Sequence, residues 1–311
     1  MSGSKIFDYQ KETQTGAFKR TESVFRNSIK DEPNSEFPAE SGRYHLYVSH
    51  ACPWANRTAI VRNLKGLQDH ISISTVDWLL EEKGWRFGHK GDADPVHNYE
   101  FLREVYLENN PDYEGKVTVP VLYDKKTNRI VNNESSEIIR QLNFEFNKFA
   151  NNKELDIYPE NLRKDIDEVN DWVYNTVNNG VYKSGFATKQ EPYEEAFDAL
   201  FKSLDRLEDI LSKNKYLTGD SLTEADVRLF TTLIRFDPVY FGHFKCNKRQ
   251  LQSYPNLWNY TKHLYQIPEI KETIHFDHIK SHYYASHKKI NPTGIVPKGP
   301  EINFDEPHDR K

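Results

Sequence analysis

The stretch Tyr44-His-Leu-Tyr-Val-Ser-His-Ala-Cys-Pro-Trp-Ala-Asn-Arg57 constrains the chain more than any other. Leu46 and Val48 alternate with His45 and Tyr47, the period of a strand. Pro53 then suits the first turn of a helix, where its missing N–H costs nothing. Ala55, Ala59, Ile60 and Leu64 recur at helical spacing, and Gly66 ends the run. Ile71 to Val76 alternates again. Strand, helix and strand in this order predict a right-handed βαβ unit with a parallel pair. Cys52 falls at the strand-to-helix junction, where unsatisfied N–H groups and the helix dipole favour a thiolate. The residues alone leave two readings of it. One is a nucleophile. The other is an inert core thiol, since cysteine outside disulfides is among the most buried residue types.

Residues 81–98, rich in Gly, Asp, His and Lys, predict a long loop around Gly84-Trp85-Arg86-Phe87. Phe101 to Glu108 reads as a helix with Leu102, Val105 and Tyr106 on one face. Val117 to Tyr123 is a strand interrupted by Pro120, which marks an edge, a bulge or a cis bond. Arg129 to Asn133 follows as its hairpin partner. Glu134-Ser135-Ser136 leads into a helix over Ile138 to Phe146, with Ser135 or Ser136 as the cap and the N–H groups of that helix start as an anion site. The order β-α-β-(loop)-α-β-β-α ends near residue 150. After Tyr158-Pro159 no strand is expected. Helices are expected over 160–179, 192–213, 223–237, 255–266 and 268–274. Thr223-Glu-Ala-Asp226 resembles a capping box, with Leu222 and Val227 as its hydrophobic staple. The expected organisation is an N-terminal arm at 1–40, an α/β domain at 41–150, an all-α domain at 155–290 and an extended tail at 291–311. The arm is either a plain surface segment or one whose aromatic residues dock on the folded body.

Cys52 and Cys246 are the only cysteines; they cannot build a disulfide framework and fit a reducing compartment. No apolar run is long enough to cross a bilayer, and the N-terminus lacks an apolar signal core. A net charge of −5 argues against a nucleic-acid surface. A cytoplasmic protein with no membrane and no nucleic-acid partner is therefore expected. The 18 tyrosines and 18 phenylalanines point to a core built from rings, so a packing role is the default for any single tyrosine. No cysteine pattern suits a metal. His275, His278, His282 and His287 cluster at spacings read as not sharing one helix face, so no metal site is expected there.

Several strings together carry a resemblance: Cys52-Pro-Trp-Ala55, Gly84-Trp-Arg-Phe87, Thr118-Val-Pro120, Asn133-Glu-Ser-Ser136, Asn178-Asn-Gly-Val-Tyr-Lys-Ser-Gly-Phe-Ala187 and His282-Tyr-Tyr284. The chain resembles the glutathione transferases, which join a thioredoxin-like α/β N-terminal domain to an all-α C-terminal domain. Within them it is similar to the xi class, the glutathionyl-hydroquinone reductases, over roughly residues 15–295. Ala55 stands where a dithiol oxidoreductase would carry its second cysteine. The resemblance implies that Cys52 attacks the sulfur of a glutathionyl-hydroquinone. A mixed disulfide forms, the hydroquinone leaves, and a second glutathione releases GSSG. Glutathione is thus a co-substrate, and no metal is implied. Trp85, Arg103, Val119, Glu134 and Ser135 fall where the family binds glutathione. Val119 would pair with its cysteinyl backbone, Glu134 with its ammonium and Ser135 with its α-carboxylate. Arg103 reads equally as an exposed helix charge, and Trp85 as a loop anchor. Tyr182 and one of Tyr283 and Tyr284 would hydrogen-bond the hydroquinone oxygens. Tyr284 is preferred for catalysis, with Tyr283 beside it in substrate binding. The family's habit also implies a homodimer. Two alternatives stay open. Cys-Pro-x-Ala fits omega-class thioltransferases and dehydroascorbate reductases, which would use Cys52 without the tyrosines. A non-catalytic carrier of aromatic ligands would use neither.

Overall fold

The computed structural model describes residues 13–310, so the first twelve residues of the expected arm and Lys311 lie outside the described residues. The chain divides into two compact units. Among the described residues the first comprises 22–156 and 273–282, and the second comprises 13–21, 157–272 and 283–310.

The first unit is built on a four-stranded sheet in the order β2-β1-β5-β6. Strand β1 (Tyr44–Val48) runs into helix α1 (Pro53–Leu64), which returns to β2 (Ser72–Thr75). The two strands pair in parallel with Leu46 opposite Ile73, as the sequence predicts. All five residues of β1 are buried, so this strand is covered on both faces. His45 is accommodated there by the Ser72 and Ser74 hydroxyls at 2.7 and 2.8 Å. Burial pushes its imidazole down to about 4, helped by Lys125, so it stays neutral. After β3 (Leu80–Glu81), β4 (Gly84–Trp85) and α2 (Leu102–Asn109), the antiparallel strands β5 (Val121–Asp124) and β6 (Arg129–Asn132) complete the sheet. Asp124 ends β5 buried against the Arg43 guanidinium, with two bonds of 2.9 and 2.6 Å. Helix α3 (Ser135–Phe144) packs on α1.

The long loop is more structured than its composition suggests. It opens with the β3–β4 hairpin. Its remainder is pinned by two carboxylates: the exposed Asp92 accepts from the Thr75 N–H at 2.7 Å, and the buried Asp94 from the Tyr47 hydroxyl at 2.9 Å. Residues 22–40, read from sequence as arm, lie along this unit. Asn27 donates its N–H to Val131 at 3.0 Å, and Arg26 pairs with Asn132 beside the β6 edge.

The second unit contains no strand among its described residues. Helix α4 (Arg163–Val173) passes through a π-helical turn (Tyr174–Asn178) into α5 (Gly180–Phe186). It therefore carries the expected helix one element further. Helix α6 (Gln190–Leu211) packs on α5. Helix α7 (Glu224–Leu233) is buried nearly throughout and is followed by a second π-helical turn (Phe236–Tyr240). Asp226 closes the start of α7 by accepting from the Thr223 N–H at 2.8 Å. Helices α8 (Pro255–Tyr265) and α9 (Pro268–Lys271) both start on proline. The tail is extended but anchored. Phe304 packs 5.0 Å from Trp258, and the Arg310 guanidinium donates to the last carbonyl of α6, Leu211, at 2.6 Å and to those of Asn214 and Lys215 just beyond it at 2.8 and 3.0 Å.

Helix α10 (Phe276–Ser286) was not expected. Its residues through His282 belong to the first unit and those from Tyr283 to the second. Ile279 is its only aliphatic residue beyond Ala285, so apolar periodicity does not announce it. It also corrects the reading of the histidines. His275, His278 and His282 follow one another by three and four residues, the spacing of a single helix face. His275 stacks on His50 with ring centroids 3.7 Å apart, and His278 lies 5.3 Å from the same ring. Among the described residues no group of three His, Cys, Asp or Glu is arranged to hold a metal ion. No described helix is long and apolar enough to cross a membrane.

Candidate active site

In the first unit Cys52 is the N-cap residue of α1, and its carbonyl accepts the first helical bond from Asn56 at 3.0 Å. The side chain is half-buried and belongs to no disulfide. Its Sγ donates to the Val119 carbonyl at 3.6 Å. Val119 is joined to Pro120 by a cis peptide. The buried Tyr106 hydroxyl supports this corner twice. It donates to the Thr118 carbonyl at 2.8 Å and accepts from the Asn133 amide at 3.2 Å. One phenol thus fixes the residues just before both Val119 and Glu134. Cys246 offers no second nucleophile: it is fully buried, and burial pushes its thiol well up.

Glu134 occupies the N-cap of α3 and accepts from the Ser136 N–H at 3.1 Å. The cap is therefore the glutamate, not Ser135 or Ser136 as its chemistry suggested, because a serine at the first helical position no longer has a capping backbone. Ser135 is buried behind it at the helix start. The remaining Glu134 oxygen accepts from Ser23 of the arm at 3.2 Å. Arg57 is the residue that sequence reasoning missed here. It is 1% exposed, its guanidinium sits 4.4 Å over the Trp54 ring, and it reaches the Ser135 hydroxyl at 3.4 Å. It places a buried cation between the Cys52 helix and the α3 start. Trp85 is 4% exposed and stacks on His282 at 5.1 Å, while His282 bonds the Trp78 carbonyl. That is the geometry of a loop anchor. Arg103 is half-buried on α2, and no side-chain hydrogen bond or ion pair ties it to another described residue.

The second unit holds a row of three phenols. The Tyr182 and Tyr283 hydroxyls are 2.6 Å apart, and the Tyr283 and Tyr240 hydroxyls 3.0 Å apart. Tyr182 is half-buried, whereas Tyr283 and Tyr240 are enclosed, and burial pushes both of those phenols well above the ordinary range. The hydroxyl that meets Tyr182 is therefore that of Tyr283, placed by the sequence in substrate binding beside Tyr284. Adjacent helical residues point about 100° apart, so only one of the pair can face it. The Tyr284 hydroxyl instead approaches the Pro238 carbonyl at 3.5 Å. Tyr240 was missed, being one of eighteen tyrosines with no motif around it. Its position at the end of a π-helical turn is a signal that only the structure carries.

Gly185 keeps this row packed. A Cβ there would lie 2.2 Å from two ring carbons of Phe244. Phe244 is fully buried and stacks on Tyr240 at 5.4 Å, so it has nowhere to retreat. Gly185→Ala is expected to cost about 2 kcal/mol by overpacking. Urea unfolding measures it, and an unchanged midpoint would contradict the close approach.

The comparisons with known proteins agree with this architecture. The profile of the glutathione S-transferase N-terminal domain matches residues 51–143, and that of the C-terminal domain matches residues 190–263. Fold and domain order together define a glutathione transferase. Glutathionyl-hydroquinone reductase YqjG of Escherichia coli is 52% identical across 97% of this chain and 94% of its own. The crystal structure of the Xi glutathione S-transferase of Phanerochaete chrysosporium matches with a TM-score of 0.90 and 54% identity, over 94% of this chain and 100% of that one. The chain belongs to the Xi class of glutathione transferases, the group of the glutathionyl-hydroquinone reductases. The glutathione-bound structure of YqjG matches with a TM-score of 0.89, over 92% of this chain and 96% of that one. The expected fold class and family are both borne out.

Proposed function

We propose that this protein uses glutathione to reduce glutathionyl-hydroquinones to hydroquinones through a mixed disulfide at Cys52. The observation that carries the reading is Cys52 itself. It is half-exposed at a helix N-terminus, with its sulfur directed at the carbonyl of Val119. Backbone N–H groups there favour the thiolate, the reactive form. Val119 offers its N–H and C=O to the cysteinyl part of glutathione as an added strand would use them. Glu134 takes the ammonium, and Ser135 with Arg57 behind it takes the α-carboxylate at the start of α3. Arg103 is assigned to the glycyl carboxylate end and Trp85 to holding the loop that walls the site.

The chemistry balances without an added oxidant. The Cys52 thiolate attacks the glutathionyl sulfur, so an S–S bond forms and the C–S bond breaks. The electron pair of that bond passes to the ring carbon, which takes up a proton. An aryl thioether resists such attack, whereas the ketone tautomer of a hydroquinone places the C–S bond beside a carbonyl. Tyr182, the outermost phenol, hydrogen-bonds a ring oxygen, stabilises the enolate that forms and delivers the proton, while Tyr283 behind it orients the Tyr182 hydroxyl. A second glutathione thiolate then attacks the mixed disulfide, releasing GSSG and restoring Cys52. The name and the bound glutathione of the relative YqjG support this assignment. We assign the enzyme to the cytoplasm, where glutathione keeps thiols reduced. We also assign it a homodimeric state, which light scattering tests.

Tyr182→Phe and Tyr283→Phe are each expected to slow glutathionyl-hydroquinone turnover on the order of 100-fold. Tyr284→Phe should leave it unchanged. Exchange with a simple glutathione disulfide needs only Cys52 and should survive all three. No loss on either substrate would favour the thioltransferase reading and remove the phenols from the mechanism, and equal loss on both would make them residues of the fold rather than of the reaction.

A further inference from the structure

Tyr182 is the outermost of the three phenols, and a half-buried tyrosine needs something on its open side to keep its ring in place. The residues that supply it come from the start of the described chain. Gly16 adopts φ +94°, accepts the Thr188 N–H at 2.9 Å and passes so close to Lys189 that a Cβ would lie 2.6 Å from its Cδ. This pins the strap two residues before Phe18. The buried Phe18 ring stacks on Tyr182 at 6.3 Å and lies tilted against Phe186 at 5.4 Å. Arg20 completes the enclosure. Its guanidinium carbon lies 5.0 Å from the centre of the Tyr182 ring, and its Nε donates to the Asn179 Oδ1 at 2.8 Å. Asn179 is the residue on which α5 begins, three positions before Tyr182. One side chain therefore grips both the ring and the start of the helix that carries it. A cation over an aromatic face is attractive, and the planar fork of arginine holds both contacts at once.

We infer that residues 16–20 form a strap whose task is to hold the Tyr182 phenol in its reacting position, with Arg20 as the positioning residue. The inference rests on the reading of Tyr182 as the phenol that serves the hydroquinone. It assigns function to Gly16-Ala-Phe-Lys-Arg20, an irregular stretch that interrupts an otherwise polar arm. The strap has no part in disulfide exchange at Cys52, so the two reactions respond to it differently.

The test uses the full chain with Arg20→Gln, Arg20→Lys, Tyr182→Phe and the double variant Arg20→Gln/Tyr182→Phe. Turnover is followed on a glutathionyl-hydroquinone and, separately, on a glutathione mixed disulfide. Arg20→Gln is expected to lower kcat on the hydroquinone substrate about tenfold, with exchange on the disulfide held within about twofold. Arg20→Lys keeps the cation over the ring and should recover most of the loss. On the Tyr182→Phe background Arg20→Gln should cost less than about twofold more, the signature of two residues acting through one contact. A slow Tyr182→Phe beside an unimpaired Arg20→Gln would overturn the strap alone. Parallel loss on both substrates would make Arg20 a stability residue and overturn it too. A Tyr182→Phe enzyme with full activity would instead overturn the reading of Tyr182.

Discussion

Cys52→Ala is expected to reduce glutathionyl-hydroquinone turnover by at least about a thousandfold, since no other group can form the mixed disulfide. Cys246 cannot substitute, because it is enclosed and its thiol is held protonated. The loss should fall on kcat. The glutathione contacts proposed at Val119, Glu134 and Ser135 do not use the sulfur, so glutathione should still bind, as calorimetry would report. The fold should also persist, because the side chain is half-exposed and its bond to the Val119 carbonyl is long. Cys52→Ser should be nearly as inactive, a hydroxyl being far less ionised than a thiol at neutral pH. In the native enzyme, stoichiometric glutathionyl-hydroquinone should leave a glutathione adduct on the Cys52 peptide, visible by mass spectrometry. Either variant turning over at the native rate would end the nucleophile assignment.

The second large effect is on stability. Asp226→Ala is expected to cost about 3–4 kcal/mol and lower the melting temperature by roughly 5–10 °C. The Asp226 carboxylate is fully buried and accepts four hydrogen bonds: from the N–H groups of Leu217 and Thr223 at 2.9 and 2.8 Å, and from the hydroxyls of Thr223 and Tyr260 at 3.0 and 2.7 Å. Burial pushes its carboxyl pKa up while these donors oppose the rise. Removing the carboxylate leaves buried donors without an acceptor, and each costs more than an ordinary hydrogen bond gives. It also opens the first turn of α7, the most enclosed helix of its unit. Asp226→Asn should rescue little, because one of its two terminal atoms becomes a donor facing donors. Guanidinium unfolding reads the difference, and a loss below about 1 kcal/mol would contradict this accounting.

Legibility in the sequence followed local periodicity. The βαβ opening was readable because Leu46, Val48, Ile71 and Ile73 alternate while Ala55, Ala59 and Ile60 do not, and Pro53, Pro255 and Pro268 each open a helix. Thr223 and Asp226 announced α7 three residues apart. Helix α10 escaped because its buried face is made largely of histidine and tyrosine, which carry no clear apolar stripe. The choice between Tyr283 and Tyr284 then depends on the phase of a helix whose start was unknown. Arg57 escaped for a different reason. A charge in an apolar helix reads as its solvent face, and only packing shows the guanidinium under Trp54. The docking of Phe18 was one of two readings the sequence left open for the arm, whereas the contacts of Arg20 and Ser23 had no signal because irregular segments have no period; their partners lie about a hundred residues or more away in the chain.

Each link in the Tyr182–Tyr283–Tyr240 row joins two hydroxyls, either of which can be the donor. The row therefore has two polarities, one with its hydrogens turned outward and one with them turned inward. Passing from one to the other needs only rotation about three C–O bonds, with no heavy atom moving. The rotation itself carries no net charge: a proton given up at the Tyr182 end has to be returned from the solvent or from the next glutathione thiol, while the row turns its hydrogens to suit whichever partner, donor or acceptor, faces Tyr182.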